Sequence, residues 1–191
     1  MGGAFSPCVS YFARASDLYM PFPTITSFAE HIASLDDWKR ELLQGAFQTN
    51  EIDNLTHHLA QGTPLLLCSD GGATRHAGSF GWVIATENVF LWECSGPATG
   101  WFSNSFRSEG IGQLALLVFL ESFLAYYQLL DLPIPILPDD TPWIRIAADN
   151  QGLLIRIAAE LATTTAFAGA GLSPEYDVVH EIIEITRRLP T

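Results

Sequence analysis

The apolar positions of the chain change their period along its length. Phe28, Ile32, Leu35, Leu42 and Leu43 recur at helical spacing and predict one helix over 27–43. Thr26 or Ser27 can cap its start, and Gly45 can stop it. A second helix is expected over 51–60, with Asn50 as cap, Ile52, Leu55 and Leu59 as its apolar face, and Gly62 after its end. From Pro64 the pattern turns to short apolar runs bounded by turn residues, the mark of buried strands. Strands over 65–72, 79–85 and 89–94 are joined by short connections, which implies an antiparallel meander. A long helix over 107–130 has apolar residues on most faces, as expected of a helix buried against a sheet. Pro133, Pro135, Pro138 and Pro142 stiffen the connection to a fourth strand over 143–149. That strand follows a helical crossover and is therefore expected to run parallel to the first. A helix over 151–161 comes next. The last helix, with Ser173 as cap, Pro174 in its first turn and Glu175 near its positive end, runs to Arg187-Arg188.

Three breaks in this pattern carry acids. Asp70 ends the first strand's apolar run, Glu109 lies at the opening of the long helix, and Asp149 ends the fourth strand. A buried carboxylate is costly unless it is paired or bound to metal. Three of them brought to one end of a sheet suggest a metal site. Each also has an ordinary explanation: Asp-Gly is common turn chemistry, Glu109 suits a helix N-terminus, and Asp149 can cap the helix that follows it.

Charge pulls the other way. There are 21 acidic residues against nine Lys and Arg, for a net charge of −12, and Lys39 is the single lysine. Phosphate contacts need cations, and here the supply is Arg75, Arg107, Arg145, Arg156, Arg187 and Arg188 along the strand-bearing part. Hydrophobic residues make up 48% of the chain, ample for a core. Cys8, Cys68 and Cys94 are odd in number and lack metal spacing. Free thiols in a reducing compartment are expected, hence an intracellular protein of cytoplasm or nucleus. The apolar stretch 111–130 is long enough to span a bilayer, but Gln113, Glu121 and Gln128 interrupt it, so a buried helix is expected and no membrane. Met1-Gly2-Gly3-Ala4-Phe5-Ser6 fits the loose myristoylation pattern, which is short and often fortuitous. No basic segment precedes an apolar core near the start, so no secretory signal is expected. Residues 1–24, with Pro7, Pro21 and Pro23, suggest an irregular arm.

Several words of the sequence, in their order, resemble the ribonuclease H family. Ser69-Asp70-Gly71-Gly72 followed by Gly78-Ser79-Phe80-Gly81-Trp82 resembles its first strand and hairpin. Ser105-Phe106-Arg107-Ser108-Glu109 resembles the polar turn with an arginine shortly before the helix glutamate. Ala148-Asp149-Asn150-Gln151 resembles the Asp-Ser-Gln word after strand four. With Gly96-Pro97-Ala98-Thr99-Gly100, these segments look most like the domains attached to retroelement reverse transcriptases, over roughly 64–190.

The resemblance implies an α/β, ribonuclease H-like fold. Strands 1-2-3 would be antiparallel in a mixed sheet, strand 4 parallel to strand 1, with helices on the faces and an N-terminal helical extension. It implies a domain over 63–191 that stops before the family's fifth strand; the arm and two helices over 1–62, whose apolar stripes are too few for a core of their own, are expected to pack on it. It implies cleavage of the RNA strand of RNA–DNA hybrids by two Mg²⁺ or Mn²⁺ ions, with Asp70 bridging both and Glu109 and Asp149 each holding one. Gly71, Gly72, Asn104 and Gln151 would approach the RNA strand, where 2′-hydroxyls mark it as RNA. The family also expects a mobile histidine and a fourth metal-binding aspartate. Neither His180 nor Asp177, which suits a first helical turn, is a convincing substitute, so impaired activity is expected. The alternative is a non-catalytic structural or interaction module from a retroelement polyprotein. A homodimer or a polyprotein neighbour would then cover the open sheet edge.

Overall fold

The structure, a computed structural model, describes residues 27–46, 52–98, 104–129, 144–163 and 175–189. Its elements are α1 (Phe28–Ala33), α2 (Asp37–Leu42), a 3₁₀ turn (Gln44–Ala46), α3 (Ile52–Ala60), β1 (Leu65–Ala73), β2 (Gly78–Ala85) and β3 (Phe90–Ala98). There follow α4 (Ser105–Leu129), β4 (Ile144–Ala148), α5 (Gln151–Leu161) and α6 (Tyr176–Arg188).

The meander forms as the pattern requires. β1 pairs antiparallel with β2, and β2 with β3, while β4 runs parallel to β1, giving the order β3-β2-β1-β4. This is the order expected above, a mixed sheet with helices around it. Strand alternation sends Leu65, Leu67 and Ser69 of β1 and Phe80, Trp82 and Ile84 of β2 to one buried face. Helix α4 lies across that face. Its apolar positions surround it because neighbours surround it: 89% of its most apolar window is buried inside the protein. Phe119 anchors the contact, with ring centroids 4.9 Å from Trp82 and 5.1 Å from Trp92. Two of the polar residues that interrupt the stretch have partners, and the third, Gln128, is exposed. Ser69 Oγ donates to Gln113 Oε1 at 2.9 Å, and Glu121 accepts from Lys39 and Arg188.

Phe28, Ile32, Leu43, Leu55 and Leu59 from the N-terminal helices belong to the same core cluster as the sheet and α4. Phe28 packs within 5.4–6.3 Å of Trp92, Phe119, Phe123 and Tyr126. Ser27 is the cap, accepting from Glu30 N–H at 3.2 Å. The single helix expected over 27–43 is instead two. Ser34 closes α1, its hydroxyl bonded to His31 O at 2.7 Å, and Asp36 is extended ahead of α2. The Ser34 hydroxyl bonds back into the last turn of α1, and the extended backbone at Asp36 separates that helix from α2.

Other boundaries shift for identifiable reasons. β1 continues one residue past its expected end at Gly72, to Ala73, because β2 pairs with it as far as Gly78, leaving a tight turn closed by Thr74 N–H on Ala77 O at 2.8 Å. β3 likewise runs on to Ala98. α4 starts two residues earlier than expected because Asn104 Oδ1 accepts from Arg107 N–H at 2.7 Å. The expected cap at Ser173 and turn at Pro174 lie outside the described residues, as do the arm over 1–24, Asn50 and the proline-rich connection. Cys68 and Cys94 are free, and burial pushes the Cys94 thiol up to about 11.

Candidate metal centre

Three elements deliver the three acids. The parallel register sets Leu65 beside Ile144 and Ser69 beside Ala148, so the next residue of each strand is an aspartate, Asp70 and Asp149. Glu109 comes from α4, which reaches the same end of the sheet through a close approach at Gly71. A β-carbon there would strike the backbone of Ser108 and Glu109. At Gly112 a β-carbon would stand 3.0 Å from Asp70 O. Absence of side chains at these two glycines lets the helix lie directly on the strand.

The result is a cluster in which carboxylate oxygens of Asp70, Glu109 and Asp149 all lie within 4.8 Å of one another. Asp70 and Asp149 are exposed while Glu109 is only 5% exposed. Among the described residues, Glu109 Oε2 is buried with no hydrogen-bond partner of its own. Burial pushes the Glu109 carboxyl up to about 7, with the charges of Asp149 and Asp70 and a hydrogen bond with Asp149 adding to it, and the Gly71 N–H opposing it. Asp70 Oδ1 itself accepts from Gly71 N–H at 2.7 Å.

The ordinary explanations of the three acids do not describe this geometry. Asp70 sits inside a paired strand opposite Gly81, not in a turn. Glu109 is the fifth residue of α4 and buried, beyond the first turn. Asn150, not Asp149, caps α5, accepting from Leu153 N–H at 2.9 Å. Each carboxylate is left for the cluster. The donor set is all oxygen, one member carries an unpartnered buried oxygen, and hard divalent cations such as Mg²⁺ or Mn²⁺ suit such a set. The residues fit the ion.

The remaining expected site residues are near the cluster's elements. Gly71 and Gly72 continue β1 past Asp70, and Gln151 is exposed at the start of α5. Asn104 is exposed, with both amide groups engaged: Oδ1 caps α4, and Nδ2 donates to Glu175 Oε1 at 2.8 Å. Asp177 lies in the first turn of α6 and pairs with Arg107 Nη2 at 2.8 Å, outside the cluster. Sequence reasoning missed that ion pair, and it missed Gln113 as the partner of Ser69. Neither has a short-range signal, because 70 and 44 residues separate the partners.

Most of the cations are committed. Lys39, Arg40, Arg107, Arg156, Arg187 and Arg188 each pair with an acid. A groove of about 440 Å³ runs from Asp70 across Cys68, Gly81, Val83, Glu93 and Ser95, on the face of the sheet turned away from α4. Its charged lining residues are acidic.

No protein-family model matches the chain, and no curated protein matches it. Among solved structures it is similar to LC11-RNase H1, crystallised in complex with an RNA/DNA hybrid. The identity is 17%, over 65% of this chain and 77% of that one, with a TM-score of 0.42. It is also similar to RNase H1 from the halophilic archaeon Halobacterium salinarum NRC-1, at 16% identity over 64% of this chain and 78% of that one, with a TM-score of 0.36.

Proposed function

We propose that the chain is a metal-dependent phosphodiester hydrolase that cuts the RNA strand of RNA–DNA hybrids inside the cell. The observation that carries the reading is the carboxylate triad within 4.8 Å, with one buried, unpartnered oxygen. Asp70, Glu109 and Asp149 would hold two Mg²⁺ or Mn²⁺ ions, which when bound supply activation of a water and stabilisation of the leaving oxygen. The chain's own residues do the rest. The Gly71 approach holds Glu109 level with Asp70. The bare backbone of Gly71 and Gly72 and the exposed Gln151 offer polar groups to a sugar–phosphate strand. Arg75, exposed in the β1–β2 turn, is placed to meet a phosphate. Asn104 would reach the strand only by giving up its bond to Glu175. The hybrid itself is chosen on the sequence words around these residues.

Three carboxylates hold a second ion less firmly than four, so activity is proposed to be impaired in Mg²⁺. Incubation with labelled hybrid, single-stranded RNA and duplex DNA tests the reading. Cleavage confined to the RNA of the hybrid and dependent on the metal supports it. Equal cleavage of all three, or none in Mn²⁺, refutes it.

A second reading is favoured by charge. A net charge of −12 and an acidic groove beside Asp70 suit a non-catalytic interaction module of a retroelement polyprotein. In that reading β4, the edge of the sheet among the described residues, pairs with a polyprotein neighbour or a second copy.

A further inference from the structure

We propose that Arg107 is a positioning residue for the metal centre. Its guanidinium locks the start of α6 to the first turn of α4, and so fixes the backbone from which Glu109 projects. The proposal rests on the metal-dependent reading above and goes beyond it in naming what holds the third ligand in place.

Glu109 is only two residues beyond Arg107 on α4. Arg107 Nη1 bonds Glu175 Oε2 at 2.6 Å and Asp177 Oδ1 at 3.1 Å, while Nη2 bonds Asp177 Oδ2 at 2.8 Å. The other Glu175 oxygen accepts from Asn104 Nδ2 at 2.8 Å, and Asn104 Oδ1 accepts from the Arg107 N–H at 2.7 Å. Asn104, Arg107 and Glu175 therefore close a ring of hydrogen bonds around the N-terminus of α4. The side chains of Arg107 and Glu175 are only 18% and 14% exposed, so water screens their pair weakly.

Glu175 also has a backbone that glutamate seldom adopts. Its φ is 58°, in the left-handed region where glycine would sit without strain. Such a residue persists when its surroundings over-determine it, and here the surroundings are the two bonds its carboxylate makes. Glycine would relax the backbone and lose the ring. The chain keeps the carboxylate.

The turn bearing Glu109 is thus held from two sides. On one, β1 presses on it at Gly71, leaving no room for a β-carbon. On the other, α6 is tied by Arg107, and Val178 Cγ1 comes within 2.9 Å of where a β-carbon of Gly110 would be. Metal ligands lose affinity when the groups that orient them are removed, commonly 10- to 100-fold.

The test is Mn²⁺ titration of the full chain and of Arg107→Met, Glu175→Gln and Glu175→Gly, well below their unfolding midpoints, with folding checked by circular dichroism. Mn²⁺ affinity is expected to fall about 10-fold in Arg107→Met and several-fold in both Glu175 variants. Glu175→Gly separates positioning from stability. Relief of the left-handed strain should keep its thermal midpoint close to that of the parent while its Mn²⁺ affinity still falls. Affinities within twofold of the parent in every variant that folds would overturn the proposal alone. A parent chain that binds no Mn²⁺ would overturn the metal-dependent reading, and this proposal with it.

Discussion

Gly71 and Glu109 meet so closely that a single β-carbon on Gly71 would collide with the Glu109 backbone. At Gly72, one residue on, a β-carbon would have only Ser79 Oγ near it, at 3.9 Å. Gly71→Ala is therefore expected to cost about 1–3 kcal/mol through overpacking, which lowers the thermal midpoint by roughly 2–12 °C for a chain of this size. Gly72→Ala should leave the midpoint nearly unchanged. Thermal unfolding of both variants checks the contrast, and equal losses would contradict the close approach.

The carboxyl of Glu109 makes stability depend on pH. Its value rises from the ordinary 4.5 to about 7 in the folded chain, through burial first and then through the charges of Asp149 and Asp70. The folded state thus holds this proton more tightly than the unfolded one. The stability it lends is full below the unfolded value and is lost as pH rises through about 7. Glu109→Gln stays neutral, so without metal it should unfold higher than the parent at pH 8, by roughly 2–6 °C. At pH 4.5 the gap should close. Melting curves at the two values decide, and a pH-independent gap would contradict the cause given.

Much of the fold is legible in the sequence because it is local. The switch from helical to strand period at Pro64, the short connections of the meander and the crossover before β4 each have a short-range signal, and the strand pairing follows from them. The three acids are legible for the same reason, each standing at a break in the apolar pattern. The break at Ser34-Leu35-Asp36 is masked, although both polar residues favour caps, since the apolar spacing runs through it. β1 reaches one residue further than expected, to Ala73, and β3 extends through Gly96-Pro97, residues of poor strand propensity, because pairing with β2 decides their conformation. The Arg107 pairs with Glu175 and Asp177 join residues far apart in sequence, so no local pattern announces them.

Glu121 ties three helices. It accepts from Lys39 Nζ of α2 at 3.1 Å and from Arg188 Nε of α6 at 2.6 Å. Burial would raise its carboxyl, but the hydrogen bonds from Arg188 and Lys39 outweigh it and hold the group below its ordinary range. Glu121→Gln should cost about 1–2 kcal/mol at pH 7, and the difference should shrink as acid protonates the parent's carboxylate. Because α1 to α3 share their core with the sheet, residues 1–62 expressed alone should show no cooperative thermal transition. Calorimetry of that fragment and pH-dependent melting of the variant check the two statements.

On the proposed hydrolase reading, hybrid cleavage is expected to be slow in Mg²⁺ and faster in Mn²⁺. A triad of carboxylates leaves the second ion short of a ligand, and Mn²⁺ binds such oxygen sites more tightly than Mg²⁺ does. Initial rates at saturating concentrations of each metal measure the difference. Robust Mg²⁺-dependent cleavage would contradict the impairment and direct attention to Asp177, now held by Arg107.

The most direct test of the central claim is Mn²⁺ binding to the intact chain, followed by titration calorimetry at pH 7.5. Asp70→Asn and Asp149→Asn each remove one charge from the triad, while Asp177→Asn removes one from the Arg107 pair. The parent is expected to bind Mn²⁺, the two triad variants to lose at least 10-fold in affinity, and Asp177→Asn to lose much less. Absence of Mn²⁺ binding by the parent, or equal losses in all three variants, would contradict a metal centre at Asp70, Glu109 and Asp149.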